Sequence, residues 1–288
     1  NPNNDPAGPW CFTLPNGLRA TTDLAAAVGA AEVILVVVPS TGFRGVCRAL
    51  KPLVRPDAIL VSATKGLETD TLERMTQVAG EEVPGHPLAV LSGPSFALEV
   101  VQGQPTVLVV ASSEIAVAER VQREISTPTL RAYSSDDVTG VELAGALKNV
   151  IAIASGIVAG LGFGHNTLAA LITRGLAEMV RLTVAMGGRA DTLAGLAGVG
   201  DLVLTCTGAL SRNRRVGQLL GAGRSLAEAV AETHLVAEGV RTTLAACALA
   251  ERHRVELPIA EQMKAVLYQG RSPRQAVEQL MLRSLKRE

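Results

Sequence analysis

The stretch "AEVILVVV" (31–38) is continuous, apolar and β-branched, and it stops at Pro39. Such a run marks a strand covered on both faces, as in a parallel sheet. Similar runs follow at "AILVSA" (58–63), "LAVLSG" (88–93) and "TVLVVAS" (106–112). Between them the apolar positions fall at helical spacing over 41–51, 70–80 and 113–125, the last opening on a Ser that a Glu follows. From residue 141 onward strand-like runs all but vanish. Helical periods punctuated by Gly and Pro cover 141–160, 166–187, 225–232, 238–253, 258–268 and 273–285. Strand alternating with helix, then helix alone, predicts an open parallel α/β sheet over 1–138 and an all-helical domain over 139–288.

Composition narrows what such a molecule does. Of 288 residues 48% are hydrophobic, ample for two cores, and Lys plus Arg balance Asp plus Glu at 27 each. With no net field and only 2% aromatic residues, nucleic acid and anionic membrane are poor partners, so any anion site must be a local cluster. Cys11, Cys47, Cys206 and Cys247 form no CxxC pair, which suits a reducing cytoplasm rather than a disulfide framework or zinc site. The four histidines have no ligand spacing either, so no metal is expected. "NVIAIASGIVAGLGFG" is the nearest thing to a membrane span; it falls short of the roughly 20 apolar residues needed and reads as a buried helix.

Open parallel sheets bind ligands beyond the carboxyl ends of their strands. Two strand ends here carry unusual residues. The run at 58–63 leads into "TKGLE", which puts Lys65 beside a Gly. The run at 88–92 leads into "GPSFALE", where Gly93 and Pro94 make a tight turn and Ser95 is expected to open a helix. Ordinary turn chemistry would account for either one alone. In the otherwise core-like "VELAGALKNVIAI" (141–153), Lys148 and Asn149 interrupt the apolar pattern. Lys148 either snorkels to solvent along its stem or points into a cleft, where burial would pull its pKa down from about 10.4 and fit it for proton transfer. Last comes "GLAGVGDLVLTCTGALSRNRRVGQLLGAG" (195–223). Its glycines match neither GxxxxGK[ST] nor GxGxxG. What remains is Asp201 and the group Ser211–Arg215, whose three guanidinium groups make either a grip for a small phosphate or a solvated basic face.

Taken together, these pieces resemble the bacterial-type NAD(P)-dependent glycerol-3-phosphate dehydrogenases. The resemblance runs through "LPNGLRATTDL", "VVVPS", "ATKGLE", "LSGPSFALEV", "GVELAGALKNVIAIASGIVAGLGFGHNT", "AALITRGLAEM", "GLAGVGDLVLTCTGALSRNRRVG" and "VAEGV". It implies a Rossmann-like doubly wound sheet followed by an all-α domain of the 6-phosphogluconate dehydrogenase-like type. The implied chemistry is reversible hydride transfer between NAD or NADP and a small phosphorylated three-carbon substrate, dihydroxyacetone phosphate, with its product feeding phospholipid synthesis. By that resemblance Lys148 is the general acid/base. Lys65, Gly93, Ser95, Asp201, Ser211, Arg212 and Asn213 meet the substrate. Lys65, Ala97, Arg212, Val236 and Glu238 meet the cofactor. The sequence departs from the family in lacking the opening strand–GxGxxG–helix unit. The first βαβ unit is therefore expected to be missing, with weak NAD(P)H binding as the result. Two other readings stand beside this one, a 3-hydroxy acid dehydrogenase of the same plan and a phosphate-binding fragment without catalysis. The apolar surface of the helical half is compatible with a homodimer.

Overall fold

The computed structural model describes residues 17–233 and 237–284. In it the four apolar runs become β1 (Val33–Val36), β2 (Ile59–Ser62), β3 (Leu88–Ser92) and β4 (Thr106–Ala111). A fifth strand, β5 (Leu130–Ser135), joins them, and spatial order follows chain order. β1, β2 and β3 are parallel, with Val33 beside Ile59 and Leu60 beside Leu88. β4 turns back against β3, Val90 facing Ala111, and β5 then runs parallel to β4. The all-parallel expectation is thus corrected to a mixed sheet. A parallel return needs a crossover that recrosses the sheet, usually on a full helix. The link from β3 to β4 holds only α4 (Ala97–Val101), five residues long, and the chain comes straight back.

Helices cover the sheet unevenly. Ahead of β1 lies the short α1 (Leu24–Val28); α2 (Ser40–Leu50) and α3 (Met75–Glu82) follow β1 and β2. Phe43, Cys47, Leu50, Met75 and Val78 bury one face against Ile34, Val36 and Leu60. On the other face α5 (Ile115–Ile125) sets Ala118 and Val121 against Ile59, Val61, Ala89 and Val110. β1 departs from the expectation of two covered faces. Leu35 and Val37 are 49% and 66% exposed, and α5 does not reach that far across the sheet.

After Ser135 the chain is helical throughout the described residues: α6 (Val138–Gly160), α7 (His165–Ala185), α8 (Ala190–Ala194), α9 (Asp201–Thr207), α10 (Arg212–Gly221), α11 (Leu226–Thr233), α12 (Glu238–His253), α13 (Pro258–Tyr268) and α14 (Pro273–Met281). α6 is the axle around which the others pack. Asp137 starts it by accepting the Gly140 N–H, and nearly every side chain from Gly140 to Val158 is buried. At 23 residues it is long and apolar enough to cross a membrane, which corrects the reading that it falls short; 89% of its apolar window, however, is buried inside the fold. The Gly156–Gly160 spacing serves a close helix crossing. A Cβ on Gly156 would lie 2.0 Å from the Arg214 carbonyl oxygen, and one on Gly217 would lie 1.9 Å from that of Ile153. Backbone-to-backbone contact of this kind lays α10 along the C-terminal part of α6, from Ile153 to Gly160.

Candidate active site

Beyond the strand ends, where the sheet meets the helices, lies a cavity of about 720 Å³. The position is the one an open α/β sheet offers to ligands. Lys148 projects into it from α6 and is only 5% exposed. Its Nζ donates to Asp201 Oδ1 at 2.5 Å and to Thr205 Oγ1 at 2.7 Å. An ammonium held there does not snorkel, and that alternative falls. Lys65, just past β2, reaches the same carboxylate from the other side, donating to Asp201 Oδ2 at 2.7 Å and to the Gly93 carbonyl at 2.8 Å. Asp201, 1% exposed, therefore holds two lysines at once.

The electrostatics follow from that arrangement. Burial pushes the Lys148 ammonium down to about 7, and the Lys65 charge adds to the effect, while the Asp201 carboxylate opposes both. Burial would raise Asp201, yet the two ammonium groups, Lys65 foremost, hold its carboxyl below the usual range. When both lysines are charged, two cations share one buried anion. Such a site favours an incoming anion or an alkoxide forming beside Lys148.

The glycine-rich stretch before Asp201 now has a role. Residues Leu196–Gly200 form a single wide π-turn, a device frequent at functional sites. A Cβ on Gly198 would lie 2.0 Å from the Leu193 carbonyl oxygen, so the turn closes only with glycine. It delivers Asp201 to the first position of α9, with Thr205 one turn later on the same face. Thr205 donates its own hydroxyl to the Asp201 carbonyl at 2.6 Å and so offers Lys148 an acceptor lone pair. Sequence reasoning missed Thr205; the i, i+4 spacing from Asp201 is the signal that would have found it.

Asn149 braces the same wall. Its amide donates to the Lys65 carbonyl (3.1 Å) and the Gly145 carbonyl (3.3 Å) and accepts from Asn213 Nδ2 at 3.0 Å. Asn213 Oδ1 in turn accepts the Gly239 N–H at 2.9 Å, tying α6, α10 and α12 together. Ser211 caps α10 by accepting the Arg214 N–H. Arg212, at the first position of α10, is exposed on the cavity wall and has no hydrogen bond or ion pair among the described residues. The expected grip of three arginines is corrected to one. Arg215 pairs with Glu232 on α11, and the buried Nε of Arg214, away from the cavity, has no partner. At 100° per residue Arg214 turns about 200° away from Arg212; Arg215, one turn on, lies on the Arg212 side but is taken up by Glu232.

Gly93 sits behind the wall with φ 127°, and a Cβ there would press on the Leu108 backbone at 3.2 Å. Ser95 Oγ donates to the Gly93 carbonyl at 3.1 Å and lines the cavity. It does not open a helix as expected; α4 starts at Ala97, with Phe96 as its cap. Ala97 also lines the cavity, as does Glu238, whose carboxylate accepts the Ser40 N–H (2.9 Å) and hydroxyl (2.6 Å) at the start of α2. Val236 lies outside the described residues. Val37, Ala63 and Leu108 give the sheet side of the cavity an apolar lining suited to a flat ring. The residues present therefore fit the nicotinamide end of a dinucleotide; a glycine-rich GxGxxG turn for its pyrophosphate does not occur in the sequence.

Comparison with known proteins places the chain. The family description "NAD-dependent glycerol-3-phosphate dehydrogenase N-terminus" matches residues 9–118 and the corresponding C-terminus matches 137–278. A protein of Geobacter sulfurreducens named glycerol-3-phosphate dehydrogenase (NAD(P)+) is 53% identical over 96% of this chain and 83% of its own length. One of the same name from Citrifermentans bemidjiense is 55% identical over the same shares. The crystal structure of a glycerol-3-phosphate dehydrogenase from Coxiella burnetii superposes with a TM-score of 0.90 at 42% identity, covering 93% of this chain and 82% of that one. On these matches, with the sheet, the helical half and the cleft between them, the chain belongs to the NAD-dependent glycerol-3-phosphate dehydrogenase family.

Proposed function

We propose that the protein interconverts dihydroxyacetone phosphate and sn-glycerol 3-phosphate with NAD(P)H, and that Lys148 carries the proton. The observation that carries this reading is a lysine at the edge of neutrality, bound to a shared aspartate, in a cavity also lined by Arg212, which has no partner among the described residues. Arg212 and the first turn of α10, with Ser211 and Asn213, take the substrate phosphate. The carbonyl oxygen at C2 then faces Lys148. The hydride that C2 receives would come from NAD(P)H when it is bound. As charge develops on the oxygen, Lys148 delivers its proton, and Lys65 and Asp201 hold the lysine in place and balance its change of charge. In the oxidising direction the neutral amine takes the proton back.

The cofactor assignment rests on the family's NAD(P) dependence and on the apolar wall near Ala97 and Glu238. Lys65, Ala97, Arg212 and Glu238 would face its nicotinamide end. A division at residue 138 belongs to the same proposal, supported by the end of β5 at Ser135 and the start of α6 at Val138. So do a cytoplasmic setting, suited to the buried unpaired Cys47 and Cys206, and a homodimer through the helical half, where Leu244, Tyr268 and Met281 are exposed.

The test is NAD(P)H oxidation followed by absorbance, with cofactor raised until the rate saturates. Dihydroxyacetone phosphate is compared with small oxo acids of similar length. Turnover confined to the phosphorylated ketone supports the proposal; preference for an oxo acid overturns it.

A further inference from the structure

Ser92 ends β3 directly before Gly93, is 3% exposed, and belongs to the cavity wall. Its hydroxyl is one of only three buried side-chain polar atoms among the described residues that lack a hydrogen-bond partner. Native proteins leave few such groups, and one at a ligand site asks for a ligand. The oxygen faces α6: a Cβ on Gly145 would lie 2.8 Å from Ser92 Oγ and 3.6 Å from Lys65 Cγ. Gly145 is one turn ahead of Lys148, so the orphan hydroxyl sits beside both lysines, on the inner side of the cleft.

A three-carbon keto phosphate carries three polar groups. Under the reading above, which this inference rests on, Arg212 answers the phosphate and Lys148 the reacting oxygen. The terminal hydroxyl is left over. The neighbouring groups are occupied: Ser95 donates to Gly93, Thr205 to Asp201, and Asn149 uses both donors and its oxygen. Ser92 alone among these has both its proton and its lone pairs free. We propose that Ser92 hydrogen-bonds the substrate hydroxyl opposite the phosphate and so selects a hydroxymethyl end over a methyl end. A turn about its one side-chain bond carries the oxygen from the Gly145 side into the cavity, where the bond forms.

The experiment compares the 288-residue chain with its Ser92→Ala variant by titration calorimetry, with and without NADP+. The probes are sn-glycerol 3-phosphate and propane-1,2-diol 1-phosphate, which lacks only the terminal hydroxyl. The unmodified protein should prefer glycerol 3-phosphate by roughly 10-fold or more, the scale of one buried hydrogen bond. Ser92→Ala should bring the two ligands within about twofold of each other, by weakening glycerol 3-phosphate alone. Its melting temperature should not fall, because no bond is lost in the ligand-free state. A variant that keeps the preference, or that melts lower and loses both ligands equally, overturns the assignment. Failure of the unmodified protein to bind either phosphate sinks the reading of the cleft itself, and the role of Ser92 with it.

Discussion

Replacing Asp201 with Asn probes the charge balance on which the site depends. The carboxylate is 1% exposed and accepts from Lys148 at 2.5 Å and Lys65 at 2.7 Å. An amide of the same shape keeps one acceptor and turns an NH₂ toward the other ammonium, so two cations lose their anion at once. Breaking a buried pair in this way costs about 3–5 kcal/mol. For a chain of this size that is roughly 2–3 °C of melting temperature per kcal/mol, or about 6–15 °C. The protein has one escape, which is to deprotonate Lys148. With Asp201 gone, the lysine loses the main group that raises its pKa, so its value falls below about 7. A lysine depressed in the native state binds its proton more weakly than in the unfolded chain. Stability therefore rises with pH between the native value and the ordinary one near 10.5. Asp201→Asn extends that rise to lower pH, and its deficit against the parent protein should be largest near pH 6 and smaller near pH 9. Thermal melts across that range read it directly. A deficit independent of pH, or no deficit, would refute the shared-aspartate arrangement.

Other perturbations address the rest of the molecule. Arg212→Ala should raise KM for dihydroxyacetone phosphate by about 10- to 100-fold, the worth of a charge-assisted bond, with kcat little changed in steady-state assays. Gly217→Ala drives a methyl into the Ile153 carbonyl, 1.9 Å away, and should cost at least the 1–3 kcal/mol typical of overpacking in urea unfolding. Because it displaces α10, KM for the phosphate should rise as well. Glu178 on α7, buried against the start of α13, accepts the Ile259 N–H at 2.7 Å, and burial lifts its carboxyl from 4.5 to about 7. A carboxyl raised in the native state loses stability as pH climbs through that window. Glu178→Gln should therefore gain up to ~3 kcal/mol at pH 8 and nothing at pH 4, measured by denaturant titration at both.

Much of this was legible in the residues. Strands buried on both faces announce themselves as unbroken apolar runs, and β2 (Ile59–Ser62), buried throughout, is the clearest case. β5 escaped because Arg131 and Tyr133 alternate with half-covered neighbours, which breaks any such run. The reversal of β4 was invisible for another reason: periodicity carries no direction. At the site, a lysine inside apolar helix was the strongest signal, since only a partner or a cleft makes it tolerable. Whether it had a partner was a matter of tertiary packing, decided by Asp201 53 positions away. The arginine cluster misled because Arg214 turns to the far side of its helix and Arg215 pairs with Glu232, a partner only tertiary packing supplies, and Ser92 looked like any strand-end serine until its empty hydrogen-bonding capacity was seen.

The proton role of Lys148 is tested most directly by the pH dependence of kcat/KM for dihydroxyacetone phosphate reduction, in the parent protein and in Lys148→Ala. The expected parent profile falls as pH rises through about 7, where the buried amine surrenders its proton. In Lys148→Ala the rate should drop by roughly 100- to 10,000-fold, and the residual activity should lose that limb. A variant that turns over at the parent rate, or that keeps the same limb, would show that the proton comes from elsewhere.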